Sequence, residues 1–244
     1  MKKTIVVIGA GVGVGMAVAE RFGKEGYYVA LVARNKVKLE QCSSQLKEKG
    51  VTANQYQADV LDSGSLINAL DAVKRDFGSI DVVEFSQLAD MATLRTPRNI
   101  TAENIQYHVQ FLLISAVTVV QHVLPEMLQR KEGAFLFTAA PSAQRPMCLT
   151  GSYGVAAGAL LNYVRLLNKD LASEKIFAGM VGIAGVVYTG EQPDADLKAH
   201  LPAGMPFVAA KDVAEAHWRS YTTREEVEAF VGDIDALYSM PGLN

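Results

Sequence analysis

Apolar residues along the chain follow two alternating patterns. Short runs rich in β-branched and aromatic residues predict strands, and the segments between them carry apolar residues at helical spacing. Because strands and helices alternate throughout, the connections are expected to be right-handed crossovers within one parallel sheet. We therefore predict an α/β fold, a doubly wound parallel sheet of about seven strands with helices on both faces. The predicted strands cover residues 4–8, 27–33, 52–57, 80–86, 133–139, 176–183 and 226–231.

A chain of 244 residues can form one large α/β domain or two small ones, and we predict a single domain over residues 1–244. The chain is 50% hydrophobic and 20% charged, which suffices for a sizeable core. Its formal charge of -3 offers no electrostatic footprint for nucleic acid or an anionic membrane. No apolar run reaches the roughly 18 residues of a membrane span. The two cysteines, Cys42 and Cys148, are far apart in sequence and favour a reduced, cytoplasmic compartment.

A glycine-rich turn follows the first predicted strand and precedes the first predicted helix. A strand, turn and helix of this kind is typical of a dinucleotide site, because glycines let backbone N–H groups approach the pyrophosphate at the helix N-terminus. A turn that binds nothing is the alternative. The residues predicted to contact the cofactor here are Gly9, Gly11, Gly13, Val14 and Gly15.

The first residues also imitate a secretory signal. Met1-Lys2-Lys3 precedes an apolar run that ends at Ala17-Val18-Ala19, a pattern similar to a cleavage site. The glycines between positions 9 and 15 make a poor signal helix, and a second strand pattern follows at 27–33. We therefore interpret this segment as the start of the fold.

The spacing Gly9-x-x-x-Gly13-x-Gly15 resembles the cofactor turn of the short-chain dehydrogenase/reductase superfamily. Leu124-Pro125-Glu126-Met127 is similar to the Leu-Pro-x-Met of that family, and the segment 184–189 is similar to its Pro-Gly-x-Val-x-Thr. The resemblance implies a single-domain Rossmann fold and an oxidoreductase that uses a nicotinamide dinucleotide and a small-molecule substrate. It also implies that Thr189 holds the nicotinamide carboxamide.

The end of the second strand indicates which dinucleotide binds. An acid there would accept hydrogen bonds from a free ribose hydroxyl, whereas an arginine pairs with a 2′-phosphate. The sequence has Arg34, followed by Asn35, and no acid beside them. We therefore predict NADP(H) over NAD(H), with both residues at the adenine ribose. An arginine that is only a solvated charge is the alternative.

Asp59-Val60, after the third strand, resembles the Asp-Val of the family. The resemblance implies that the Asp59 carboxylate contacts the adenine amino group and that the backbone flanks the ring. Asp59 can equally cap the helix that starts near Ser63.

The acid–base residues of the family are only partly present. In the family a serine polarises the substrate oxygen, a tyrosine transfers the proton, and a lysine four residues later grips the ribose and lowers the tyrosine pKa. Tyr153 stands at the tyrosine position, whereas Ala140 and Ala157 stand at the serine and lysine positions. Thr138 and Ser142 flank Ala140 and are alternative hydroxyls after a small shift of the loop.

Two other family positions are changed. Ser86 and Gln87 stand where the family has asparagine and alanine near the nicotinamide ribose, and we still expect both to contact the cofactor. Leu112 replaces the asparagine that kinks the long helix, with Gln110 nearby. Two hypotheses follow: a weakened NADP(H)-dependent oxidoreductase that transfers hydride to a small carbonyl or similar acceptor, or a catalytically inactive dinucleotide-binding protein, a sensor or partner subunit.

The remaining expectations concern metal, lid and assembly. The four histidines show no metal-ligand spacing, so we expect no metal site and surface or partly buried helix positions for them. Residues 190–207 are the expected substrate lid, with a surface excursion as the alternative. The resemblance implies a homodimer or homotetramer paired through helices at about 101–128 and 150–173. Small residues at 156–159 allow a close helix approach, or pack on the protein's own sheet.

Overall fold

A parallel sheet of seven strands forms the centre of the computed structural model, which describes residues 2–240. The strands of this range are β1 (Thr4–Ile8), β2 (Tyr28–Ala33), β3 (Ala53–Gln57), β4 (Val82–Ser86), β5 (Gly133–Ala139), β6 (Ile176–Ala184), β7 (Val186–Tyr188), β8 (Phe207–Ala209) and β9 (Glu228–Gly232). The sheet order is β3-β2-β1-β4-β5-β6-β9, and every neighbouring pair is parallel. The predicted doubly wound α/β fold is confirmed, with strand bounds within two residues of the predicted ones.

Helices cover both faces of the sheet. They are α1 (Val14–Lys24), α2 (Lys36–Glu48), α3 (Ser63–Phe77), α4 (Ala102–Val109), α5 (Ser115–Arg130), α6 (Gly151–Leu171), α7 (Ala195–Ala199), α8 (Ala210–Thr223) and α9 (Ile234–Tyr238). Helices α1, α2 and α8 pack on one face, and α3 to α6 pack on the other. The apolar residues of β1 alternate between the two cores and are all fully buried, as expected of a central parallel strand.

The sheet order reverses between β1 and β4. From β1 the chain crosses to β2 on one side, and it later returns to β4 on the other side. The loops after these two strands therefore diverge at the carboxyl edge and leave a crevice, which is where ligands bind in open α/β sheets. The turn at residues 9–13 and the residues after Ser86 border this crevice.

Residues 184–209 contain structure that the sequence patterns do not predict. Strands β7 and β8 form a separate two-stranded parallel ladder. The expected lid, residues 190–207, runs between them and carries the short helix α7. Gly185 must be glycine, because a Cβ there would lie 2.6 Å from the Pro206 carbonyl oxygen. The ladder thus joins the two ends of the segment, and its role as a lid stays a prediction.

The long helical run Ala102–Arg130 is apolar enough to cross a membrane by length and composition alone, with a mean hydropathy of 1.6. In the fold, 44% of its most apolar window is buried inside the protein. A core helix of a globular domain has the same properties, so this helix gives no reason to place the protein in a membrane. That the protein contacts neither membrane nor nucleic acid stays a prediction.

The small residues of α6 pack mainly within the protein. Ala156 and Ala157 have no accessible surface and belong to the core beneath the helix. The interpretation of these two residues as an approach surface for another helix is therefore wrong. Val155 and Leu166 are the exposed large apolar residues of α6. Assembly as a homo-oligomer stays a prediction.

Candidate functional site

The glycine turn brings the loops after β1 and β4 into contact. Gly9 has a φ of +97°, and a Cβ there would lie 2.0 Å from the carbonyl oxygen of Ser86. Gly15 also meets close neighbours, because its Cβ would lie 3.0 Å from the Cα of Ala10. These two glycines are needed for the fold itself, since a larger residue at Gly9 would force the turn away from the end of β4, and one at Gly15 would force α1 away from the turn.

Gly11 and Gly13 differ from the other two, because they leave open space. A Cβ on Gly13 would meet no described atom within 4 Å, and the nearest atom to one on Gly11 is 3.9 Å away. Gly13 is the residue before α1, Val14 begins the helix, and no side chain caps its N-terminus within the described residues. Free backbone N–H groups beside open space suit an anion such as a pyrophosphate. The turn therefore fits the dinucleotide that the sequence predicts.

Arg34 and Asp59 face each other at the ends of β2 and β3. The Arg34 side chain is 66% exposed, and its Nη1 lies 4.0 Å from Asp59 Oδ2. An exposed pair at this distance is weak and leaves the guanidinium available for a phosphate. Asn35 caps α2, because its Oδ1 accepts a hydrogen bond from the Lys38 N–H at 3.0 Å.

Asp59 does not cap the following helix, so that alternative is wrong. Asp62 is the cap of α3, and its Oδ1 accepts a hydrogen bond from the Ser65 N–H at 3.0 Å. Asp59 Oδ1 accepts instead from the Leu61 N–H at 3.0 Å, which is a local turn. Val60 is buried, so its side chain is not accessible to a ligand.

The end of β4 carries Ser86 and Gln87. The Ser86 hydroxyl donates to Glu84 Oε2 at 3.0 Å. The Gln87 amide Nε2 is buried beside Gly9 and has no hydrogen-bond partner within residues 2–240. An unpaired buried donor at the crevice is a second feature that suits a polar ligand there.

Glu84 lies at the centre of a buried polar network that the sequence patterns do not predict. Thr138 Oγ1 donates to Glu84 Oε1 at 2.9 Å and lies 2.7 Å from His217 Nε2. Burial raises the pKa of Glu84 to about 8 and lowers the pKa of His217 to about 3. The Thr138 hydroxyl is committed to this network, so it does not replace the missing serine. The only indication of this network in the sequence is an acidic residue, Glu84, inside the apolar strand Val82–Ser86.

Tyr153 lies in the first turn of α6 and is buried. Burial raises the pKa of its phenol to about 12, and a backbone hydrogen bond at Ala140 acts in the opposite direction. The ring of His108 packs against the ring of Tyr153. The tyrosine hydroxyl is thus held at the carboxyl end of β5, on the same sheet edge as the glycine turn.

The family positions for lysine and asparagine are occupied by core residues. Ala157 and Leu112 have no accessible surface. The long helix nevertheless departs from α-helical geometry at this point, because Gln110–Ile114 forms a π-helical turn between α4 and α5. Such turns are rare and are frequent at functional sites. The backbone of the long helix is therefore irregular at this point although Leu112 replaces the asparagine of the family.

Thr189 is exposed just beyond β7. No group of three or more His, Cys, Asp or Glu side chains that could hold a metal occurs among residues 2–240. The expectation of surface or partly buried histidines is wrong for His108 and His217, which are almost completely buried. Helical spacing did not show this, because these residues face the sheet and neighbouring helices rather than solvent.

Comparison with known proteins gives a consistent result. A sequence model of short chain dehydrogenases matches residues 3–198. An oxidoreductase of Sarocladium schorii is 29% identical over 184 residues, covering 75% of this chain and 72% of that protein. A 3-oxoacyl-[acyl-carrier-protein] reductase of Bos taurus is 25% identical over 88% of this chain and 90% of its own. L-sorbose reductase of Gluconobacter frateurii, solved with NADPH and L-sorbose, shares the fold with a TM-score of 0.84 at 24% identity, covering 98% of both chains.

Proposed function

The chain belongs to the short-chain dehydrogenase family of oxidoreductases, since that family's model matches 3–198 of its 244 residues, and on that premise we propose that it reduces a small carbonyl compound with NADPH. The observation that carries the proposal is the position of Tyr153. Its phenol is held at the end of β5, on the sheet edge that also carries the open glycine turn. These positions support a proton donor and a dinucleotide site at one edge of the sheet.

Residues at the crevice would hold the cofactor. Gly11 and Gly13 leave room for the pyrophosphate, and the unpaired Gln87 amide offers a donor beside them. Arg34 would pair with the 2′-phosphate that distinguishes NADPH from NADH. NADPH, when bound, supplies the hydride. Ser86 and Thr189 are proposed contacts at the nicotinamide end, Gly9, Val14 and Gly15 at the turn, and Asn35, Asp59 and Val60 at the adenosine end.

Tyr153 would supply the proton that balances hydride transfer. Its pKa of about 12 keeps the phenol protonated at neutral pH, so it can donate to the oxygen on which negative charge develops. The reverse reaction needs a tyrosinate to remove a proton from an alcohol, so at this pKa only a small fraction of the enzyme is in the form that oxidises an alcohol at neutral pH.

A dinucleotide-binding protein without hydride transfer is the second candidate function. The observation that favours it is the burial of Ala157 in the core, where the family has a lysine beside the tyrosine. A positioned acid–base group is typically worth about 10²–10⁴ in rate, and Tyr153 without its helpers forfeits part of that. Such a protein would act as a sensor or a partner subunit.

Calorimetric titration with NADPH and a spectrophotometric assay of NADPH loss across a panel of small aldehydes and ketones separate the two functions. The reductase requires both tight NADPH binding and turnover of at least one carbonyl. Binding without any turnover supports the second function. The absence of NADPH binding in the folded protein contradicts both.

We also propose that the protein acts in the cytoplasm as a homodimer or homotetramer. Cys42 and Cys148 are both free, which suits a reduced compartment. Val155 and Leu166 are exposed on α6 and would be covered by a second copy. Light scattering of the purified chain measures the assembly state.

A further inference from the structure

Five buried polar atoms near Tyr153 have no hydrogen-bond partner within the described residues. Unpaired buried polar atoms are uncommon in folded proteins, because burial removes their hydrogen bonds to water. Residues 2–240 contain eight such side-chain atoms, so more than half of them gather in one region. The five are Asn104 Oδ1, His108 Nδ1, Ser142 Oγ, Gln144 Oε1 and Gln144 Nε2.

Asn104 and His108 lie one turn apart on α4 and contact the same atom. Asn104 Nδ2 donates to the Thr93 carbonyl oxygen at 2.8 Å, and His108 Nε2 lies 3.2 Å from that oxygen. Because a carbonyl only accepts hydrogen bonds, the imidazole carries a proton on Nε2, and in the neutral ring Nδ1 is a bare acceptor. One face of α4 therefore presents two buried acceptors, each in need of a donor.

Ser142 follows β5 and packs against the start of α6. A Cβ on Gly154, the residue after Tyr153, would lie 3.5 Å from Ser142 Oγ. The Ser142 hydroxyl therefore lies close to the backbone that carries the proposed proton donor.

Gln144 lies two residues further along the same loop. Its Oε1 would be 3.6 Å from a Cβ on Gly182, and Gly182 pairs with Ala139 at the end of β5. Ala140, the next residue, forms the backbone hydrogen bond with Tyr153. Both ends of the Gln144 amide are therefore unpaired beside the strand end that holds the phenol.

The loop between β4 and α4 connects these groups. Arg95 N–H donates to Ser152 Oγ at 3.0 Å, and Ser152 N–H donates to the Arg95 carbonyl at 3.0 Å. Ser152 directly precedes Tyr153, and Thr93 on the same loop contacts Asn104 and His108. This loop thus connects the unpaired atoms of α4 to the residue that precedes Tyr153.

We propose that this region recognises a carbonyl substrate that carries hydroxyl groups on the carbons next to the carbonyl. The inference rests on the proposed reductase function and names its substrate class. A hydroxyl can donate to the bare acceptors of Asn104 and His108, and it can also accept from the Gln144 amide N–H, so this functional group matches both kinds of unpaired atom. A ketone without hydroxyls leaves them unpaired, and sites built for hydrogen bonds reject such analogues strongly. A substrate carboxylate is disfavoured, because it only accepts hydrogen bonds and would face the acceptors of Asn104 and His108.

The test compares two ketones of equal size. 1,3-Dihydroxypropan-2-one and pentan-3-one differ only in the exchange of two hydroxyls for two methyl groups. We expect kcat/KM with NADPH to be at least about 100-fold higher for the hydroxylated ketone. Saturation-transfer NMR, with and without NADP⁺, measures how strongly each ketone binds. This measurement does not depend on whether the protein transfers hydride.

Gln144→Met provides the sharpest variant. The Gln144 amide makes no hydrogen bond within the described residues, so the substitution removes an unpaired buried group. The melting temperature of the ligand-free protein should therefore be unchanged or higher. The preference for the hydroxylated ketone should fall about tenfold or more. His108→Phe should act in the same direction while keeping a ring against Tyr153. Gln106→Met, on the exposed face of α4, is the matched control and should change neither quantity.

The outcomes separate the inference from the function on which it rests. A binding preference for the hydroxylated ketone that Gln144→Met reduces supports the inference, even if no hydride transfer is found and the reductase function fails. Equal binding of the two ketones within threefold overturns the inference, even if both are reduced. An unchanged preference in both Gln144→Met and His108→Phe overturns it as well.

Discussion

The imidazole of His108 stands edge-on to the phenol of Tyr153, with ring centroids 6.2 Å apart and planes at 82°. An aromatic ring thus covers one side of the proposed proton donor, and Ala157 stands on α6 at the position where the family has its lysine. Burial among uncharged groups raises the pKa of Tyr153 to about 12. The pH dependence of the two reaction directions follows from this environment.

Carbonyl reduction should show no loss of rate from Tyr153 between pH 6 and 10, because the donor form persists up to a pKa of about 12. Oxidation of the product alcohol should rise about tenfold per pH unit over the same range, because the tyrosinate fraction does so. Profiles of kcat/KM in both directions measure this. A reduction rate that falls with an apparent pKa near 7 to 9, and that loses this limb in Tyr153→Phe, would contradict the assigned environment.

Arg34→Ala should weaken NADPH binding much more than NADH binding, because only NADPH loses a charge-assisted phosphate contact. That contact is worth about 1.5–3 kcal/mol, or roughly 10- to 150-fold in Kd. NADH affinity should change less than about threefold. Calorimetry with both dinucleotides checks this, and Lys47→Ala at the far end of α2 is the matched control. Equal losses for both dinucleotides would show that Arg34 is a solvated charge.

Gly13→Val should abolish dinucleotide binding, because the branched side chain fills space that is open beside the N-terminus of α1. Gly9→Ala should instead destabilise the fold, since its Cβ would lie 2.0 Å from the Ser86 carbonyl oxygen. Thermal unfolding first establishes that the Gly13→Val protein is folded. Gly11→Val places a side chain in the same open space and serves as a second test. Unchanged NADPH affinity in a folded Gly13→Val protein would remove the turn as the pyrophosphate site.

Glu84 should make the protein less stable as pH rises above neutrality. Burial raises its pKa from 4.5 to about 8, so the folded state holds an extra proton between these values and loses the associated stability as pH approaches 8. His217, with a pKa lowered from 6.5 to about 3, acts in the opposite sense mainly below pH 6.5, and above that pH it contributes at most about 0.4 kcal/mol. Glu84 therefore dominates the interval from pH 6.5 to 8.

Urea unfolding of wild type should show a loss of about 1.5 kcal/mol between pH 6.5 and 8. Glu84→Gln, which cannot ionise, should remove that loss, and Glu48→Gln on the exposed face of α2 should retain it. A pH dependence that Glu84→Gln leaves unaltered would show that Glu84 is already ionised at neutral pH.

The order of strands and helices could be predicted from the sequence, because each central strand is an apolar run bounded by turn residues. The glycine turn was recognisable for the same local reason. The network of Glu84, Thr138 and His217 was not, because its contacting pairs are 54 and 79 positions apart along the chain. Local patterns contain no information on which hydroxyl meets which imidazole.

Two pairs of alternatives stayed open in the sequence for the same reason. Asp59 and Asp62 are both plausible caps by spacing, and the helix begins one residue after Asp62. The small residues Ala156 and Ala157 could face either a second copy or the sheet, and they are buried against the sheet. In each case the choice depends on packing between elements, which one sequence does not specify.

The central claim is that Tyr153 donates the proton in NADPH-dependent carbonyl reduction. Single-turnover NADPH oxidation, with the most reactive ketone of the panel, should slow by at least about tenfold in Tyr153→Phe, which is part of the roughly 10²–10⁴ of a fully assisted acid, because the alkoxide then forms without its acid. NADPH affinity should change less than about threefold, and Tyr163→Phe on the same helix should leave the rate unaltered. An undiminished rate in folded, NADPH-binding Tyr153→Phe protein would contradict the claim.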